Sequence, residues 1–183
     1  LDLKDQDDAM MLMLQDKGAE HESSVLEALK QQGLTITDIG LSSDKKAATI
    51  QAMKEGADVV FQACLSQDQF TGFADFLVRV PGSSQLGDYH YEIWDTKLSK
   101  SLQPDSTIQL CCYQEMIAAI QGRYSNDFVI ILGDQTQQRL RTQEFYNYYQ
   151  SVKNAFLQLH EEFDLEKYPN PSDSKSWGCW SNY

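Results

Sequence analysis

No apolar run in this sequence approaches the roughly 20 residues that a membrane-spanning helix needs. One of them, Phe128 to Leu132, suits a buried strand. The first residues, Leu1 to Asp8, are acidic and lack the basic-then-apolar order of a secretory leader, so the expected location is the cytoplasm and no membrane partner is expected. Cysteine is scarce and badly spaced for chemistry. The four residues Cys64, Cys111, Cys112 and Cys179 form no CxxC pair, and the adjacent Cys111 and Cys112 would point to different sides of a helix. A disulfide framework and a zinc site both lack support. Positive charge is also short: 15 Lys and Arg stand against 27 Asp and Glu, a net charge of −12. An acidic surface repels phosphates, which argues against non-specific nucleic-acid binding. The deficit is uneven. Residues 1–30 carry eight acids and three bases, a balance of −5, whereas residues 76–142 carry seven acids and six bases, a balance of −1.

What is present fits one folded domain. The 183 residues are 42% apolar and 11% aromatic, enough for a hydrophobic core over residues 1–183. The chain starts at Leu1 rather than Met and is expected to be one domain of a longer protein.

Residues 3–31 predict a long helix, or two with a break near Gly18. Leu14, Gly18, His21, Val25 and Leu29 form one stripe at helical spacing. Gly33 stops it, and Leu34 to Ile39 alternates as a short strand. Ser42-Ser43-Asp44 is a cap for a helix over Ala47 to Glu55, closed by Gly56. Strands follow over Asp58 to Leu65, Phe70 to Val80 and Tyr89 to Leu98, the last two joined by a long loop at the turn cluster Pro81-Gly82-Ser83-Ser84. A helix from Pro104 to Gly122 comes next, then strands over Asn126 to Leu132 and Thr136 to Thr142. A helix from Gln143 to Phe163 is last, and the tail from Pro169 to Ser174 is loop-like. This order predicts an α/β fold around a mixed sheet.

Four features carry candidate chemistry. Asp75 lies inside the apolar strand segment Phe73 to Val78. An ionised carboxylate buried there needs a partner, a proton or a metal, unless the position is an edge that meets solvent. Asp95 and Lys97 alternate onto one face of the next strand, about 7 Å apart. Acids hold a hard divalent cation through oxygen, and a lysine beside them can stabilise charge developing on a phosphate. The same Asp-x-Lys is otherwise a surface ion pair. His21 falls on the inward stripe and is either a satisfied core histidine or a metal ligand, with Gly18 leaving room one turn earlier. Gln109 and Tyr113 are four apart and share a helix face with Met116, Ile117 and Ile120, the face that packs on the sheet.

Taken in order, Gly18-x-x-His21, Gly72-x-x-Asp75, Asp95-x-Lys97 and Gln109-x-x-x-Tyr113 resemble the motif set of RecB-like nucleases in the PD-(D/E)XK superfamily. The segments Gly56 to Ala63, Phe73 to Leu77 and Trp94 to Leu98 are similar to a bacterial branch of that family. The resemblance covers nearly the whole chain. It implies a restriction-endonuclease-like core and a deoxyribonuclease, expected as an exonuclease, that hydrolyses phosphodiesters with activated water. The catalytic set would be Asp75, Asp95, Lys97, Gln109 and Tyr113. His21, Asp75, Asp95 and the Thr96 carbonyl would ligate Mg²⁺ or Mn²⁺. Glu22 and Glu92 adjoin motif residues but project differently, so neither belongs to the implied set. DNA, single- or double-stranded, would be the substrate, and helicase or RNase H-like domains of the same protein the partners. The competing class is a non-catalytic module that keeps this fold as a scaffold for DNA or a protein.

The chain departs from the family in its tail. Relatives often hold an iron–sulfur cluster with four cysteines, but Lys175 and Gly178 stand where cysteines would be expected, and Cys179 alone cannot hold one. Purified protein is therefore predicted to be colourless with no stoichiometric iron. Brown protein with iron–sulfur absorbance would overturn that reading of the tail.

Overall fold

The computed structural model describes residues 9–164 and residue 166. The first helical positions expected before Ala9, the loop at Pro169 to Ser174, and the cluster reading at Lys175, Gly178 and Cys179 lie outside the described residues. No described helix is long and apolar enough to cross a membrane. Among the described residues, Cys64, Cys111 and Cys112 form no disulfide.

The elements in chain order are α1 (Ala9–Gln31), β1 (Ile36–Asp38), α2 (Lys45–Glu55), β2 (Val59–Gln67), β3 (Phe70–Ser84), β4 (Gly87–Lys97), α3 (Pro104–Gln121), β5 (Asp127–Leu132), β6 (Gln137–Arg141) and α4 (Thr142–Glu161). Local chemistry sets their ends. Asp44 caps α2 by accepting from the Ala47 N–H, and Gly56 closes that helix in the left-handed conformation at φ 74°. Pro104 opens α3, where its missing N–H costs nothing, and Gly122 ends it at φ 72°.

The six strands form one mixed sheet in the order β1-β2-β3-β4-β5-β6. β1 and β2 are parallel, β2–β3 and β3–β4 antiparallel, β4 and β5 parallel, and β5–β6 antiparallel. The α/β class with a mixed, helix-flanked sheet is as the sequence predicts. Strand alternation divides the core. Val59, Phe76, Val78, Val129 and Ile131 meet Val25 and Leu29 of α1, while Val60, Leu77, Ile93 and Ile130 meet Ala52 and Met53 of α2 and Leu110 and Ile117 of α3.

Contacts divide the chain after Tyr149. In the part from Gln150 onward, the Phe156 and His160 rings stack at 6.4 Å, and Phe156, Leu159 and Phe163 are exposed.

Two expectations need correction. The first helix is the single long one, unbroken from Ala9 to Gln31. Its stripe is buried only at His21, Val25 and Leu29; Leu14 is exposed together with Met10 to Met13. Pro81 to Ser84 is not a loop, because β3 continues through it to Ser84 and pairs with β4 up to Gly87. The reason is an edge. The ladder between β2 and β3 ends at Val59 and Val78, so beyond it β3 has a strand neighbour on one side only. A proline there deletes no ladder bond on the open side, and the register shift between Pro81 and Ser84 absorbs the turn-forming residues as a bulge.

Gly72 is a close-approach glycine. A Cβ added there would lie 2.4 Å from Cε1 of Tyr113. Gly72→Ala is predicted to destabilise the fold by about 1–3 kcal/mol through overpacking, read as a lower thermal midpoint. A midpoint equal to wild type would show that the Tyr113 ring is not fixed against β3.

Candidate active site at the end of the β3–β4 ladder

The ladder between β3 and β4 ends with Phe76 opposite Trp94. The next position on each strand is an aspartate, Asp75 on β3 and Asp95 on β4. Asp75 does not point idly into solvent. Its Oδ2 accepts both the Thr96 backbone N–H and the Thr96 hydroxyl, each at 2.7 Å. These two bonds tie β3 to β4 where the ladder stops. They also use the N–H and hydroxyl of the residue whose carbonyl the family resemblance names as a ligand.

Asp95 is almost fully buried, with 2% exposure. Lys97, two residues on and on the same strand face, brings Nζ to 2.5 Å from Asp95 Oδ2. The contact is a close ion pair, and the ammonium is the partner of this buried oxygen. The Lys97 ammonium donates to Gln109 Oε1 at 3.2 Å, and the Gln109 amide donates to the Tyr113 hydroxyl at 2.9 Å. The Tyr113 ring in turn lies against Gly72 of β3. Gly72, Asp75, Asp95, Lys97, Gln109 and Tyr113 thus form one contiguous set, although they come from two strands and a helix. A cleft of about 570 Å³ opens beside it, lined by Lys97, Leu98, Ser99, Gln103, Asp105, Ser106 and Gln109. A larger cleft of about 710 Å³ lies at the other end of β5, among Tyr124, Asn126, Arg141 and Tyr146, and shares none of these residues.

His21 is placed differently. It is buried, as its stripe predicts. Its Nε2 lies 3.2 Å from the Ile131 carbonyl, which can only accept, so Nε2 carries the proton. Nδ1 is then left to accept from the Gln135 amide at 3.1 Å. Both nitrogens are therefore turned to protein partners, one strand away from Thr96, which pairs with Ile131. Among the described residues, no three His, Cys, Asp or Glu side chains are drawn close enough together to hold an ion.

Glu22, its neighbour, is the residue that reasoning from sequence missed. It is half-buried and takes a hydrogen bond from the Gln62 amide. Burial, and then the charge of Asp75, push its carboxyl up to about 7 against the help of Gln62, with Asp95 and Asp38 adding to the rise. Asp95 is likewise pushed up to about 6 by burial and by Asp75, with Lys97 working the other way. Burial opposes the Lys97 ammonium, but Asp95 and Asp75 outweigh it, so Lys97 stays charged above its ordinary range. Glu22 was detectable in principle. An inward helical stripe is more than 100° wide and each residue turns 100°, so two consecutive residues can both face the sheet. Glu22 is three before Val25 and seven before Leu29, as regular a member as His21. Glu92, the other acid set aside, pairs with Arg139 at 2.8 Å and takes no part.

No family model and no curated protein matches the chain.

The raised carboxyls make a stability prediction. In the folded state Glu22 releases its proton near pH 7, against an ordinary value of 4.5. Its contribution is fully present below the unfolded value and is lost as pH rises through the folded one. In EDTA, stability should therefore fall between about pH 5 and pH 8. After discounting for the half-exposed position, Glu22 accounts for about 1 kcal/mol of that fall. Urea denaturation of Glu22→Gln should show a shallower fall across that window. An unchanged slope would mean that Glu22 does not feel the aspartates.

Proposed function

We propose that this chain is a metal-dependent DNA nuclease with a restriction-endonuclease-like core of the RecB-like kind. The observation that supports it most is the joining of Asp75, Asp95 and Lys97 at the end of one ladder, with Lys97 held through Gln109 to Tyr113. Three separate motifs of the resemblance converge there. The donor set suits a hard cation. Glu22 and Asp95 are both held above their ordinary range by burial and by neighbouring negative charge. A divalent cation relieves that strain, and oxygen donors select Mg²⁺ or Mn²⁺. Asp75 and Asp95 would hold it with the Thr96 carbonyl, and Glu22 would join them. His21 would join only by giving up its bond from Gln135. When bound, the cation supplies Lewis-acid activation of phosphate and water.

The chain's own residues do the rest. The Thr96 N–H and hydroxyl fix one oxygen of Asp75, so its free oxygen has a defined direction. Lys97 places a positive charge beside Asp95, where a phosphate would gain negative charge during attack. Gln109 restrains the ammonium, and Tyr113 restrains Gln109. DNA is the proposed substrate and exonucleolytic cleavage the proposed mode, with helicase or RNase H-like domains of a longer protein as partners. One observation favours the rival reading, a catalytically silent scaffold: both nitrogens of His21 are taken up by protein hydrogen bonds.

Lys97→Ala separates the two. Calorimetry should show that the variant still binds Mn²⁺, while cleavage of linear DNA falls about 10²–10³-fold. Asp95→Ala should lose both. Wild-type protein that binds Mn²⁺ yet cuts neither single- nor double-stranded DNA would establish the scaffold.

A further inference from the structure

Phe73 stands out on β3. Burial alternates along the start of this strand: Ala74 and Phe76 are buried, while Thr71 and Phe73 face solvent and Asp75 is half-buried. Phe73 is 47% exposed although it sits inside a paired strand, opposite Cys64. It precedes Asp75 by two residues, a separation of about 7 Å along the strand. The ring is not bare. Lys45, the first residue of α2, holds Nζ 5.4 Å from its centroid. The helix is set over this spot by Thr49, one turn on, whose hydroxyl accepts the Cys64 N–H at 2.9 Å. No carboxylate among the described residues pairs with Lys45.

An exposed aromatic face and an unpaired ammonium, set beside acids in a chain of net charge −12, are what a nucleic-acid strand needs in order to approach. A ring lying on a strand surface can be reached by a base only if that base is unstacked, which favours single-stranded over duplex nucleic acid. Lys97 then continues the positive path on β4, past Asp75 and Asp95. We propose that Phe73 and Lys45 form the seat on which single-stranded DNA lies as it enters the acid site, the ring stacking on a base and the ammonium meeting the adjoining phosphate. This rests on the nuclease reading above. Lys45 lies outside the segments that carry that reading, and Phe73 opens one of them without having a role there.

The test is fluorescence anisotropy of the full chain with a labelled single-stranded oligonucleotide in Ca²⁺, alongside cleavage assays in Mn²⁺. Phe73→Ala should weaken binding roughly 5- to 100-fold, the range found for loss of one stacked base. Phe73→Trp should restore it, since any flat ring serves. Lys45→Ala should lower the slope of log affinity against log salt by about 0.7, the value of one single-strand phosphate contact. Thermal midpoints should hold, because both side chains are on the surface. If wild type cuts DNA but Phe73→Ala binds the oligonucleotide as wild type does, this inference falls and the nuclease reading stands. A loss that Phe73→Trp does not rescue, or equal weakening on blunt duplex, overturns it as well. If wild type neither binds nor cuts either form of DNA, both readings fail together.

Discussion

The site depends on the clamp between Asp75 and Thr96. A β-ladder offers one backbone bond per step, and between β3 and β4 those bonds stop at Phe76 and Trp94. A side-chain carboxylate takes over from there, accepting two donors of one residue on the opposite strand. Charge-assisted bonds of this kind are shorter and stronger than ladder bonds. The clamp holds together two strands that would otherwise be free to separate at their ends. It also fixes Asp75 relative to Asp95 without spending the second oxygen of Asp75. Tyr113 against Gly72 and Gln109 against Lys97 then bring α3 to the same end from the other side.

Farther back along β4, uncharged groups also hold the strand. Above Trp94 the strand is not paired with β5, and a buried amide fills the gap. Gln121 gives its Oε1 to the Tyr91 N–H and its amide to the Tyr91 carbonyl, and Ser125 donates to that same carbonyl. Gln114 donates to the Asp127 carbonyl and accepts the Ser125 N–H. Tyr91, Gln114, Gln121 and Ser125 are all buried, and a polar network in a core must be connected in this way to avoid destabilising it. Gln114 and Gln121 are both on α3, so the helix that carries Gln109 and Tyr113 to the charged end is locked to the sheet at its other end. A site on such rigid elements is better defined than one built on loops.

Element types were legible from period and punctuation. Asp44, Gly56, Pro104 and Gly122 act locally, and each ends its helix within a residue or two of the expected place. Pro81 to Ser84 misled because turn residues describe the chain's own preferences, not whether a neighbouring strand has stopped. Whether β3 can tolerate a proline there is decided by the length of β2, a tertiary fact. At the site, Asp75, Asp95 and Lys97 could be picked out because an ionised group inside an apolar strand is costly wherever it lies. Glu22 gave no such signal. On a helix with both polar and apolar neighbours a glutamate is ordinary, and only its burial in the fold and the approach of Asp75, Asp95 and Asp38 from three strands make it unusual.

Those three strands also explain why His21 and Glu22 cannot be treated alike. Adjacent residues on α1 look toward the sheet at angles 100° apart, so one reaches the Ile131 carbonyl of β5 while the other reaches Gln62 of β2. β3 and β4 lie between these two strands in the sheet order, and they carry the aspartates. The helix therefore straddles the acids, with a neutral imidazole on the β5 side and a carboxyl on the β2 side. The imidazole is already satisfied by two protein hydrogen bonds, and moving it would strip the Ile131 carbonyl and the Gln135 amide of partners. The carboxyl has one partner and an unfavourable charge environment. Of the two, Glu22 would have less to lose and more to gain if the proposed cation bound between β3 and β4. For that proposal, electrostatics is a better guide to the residue of α1 than its place in a motif.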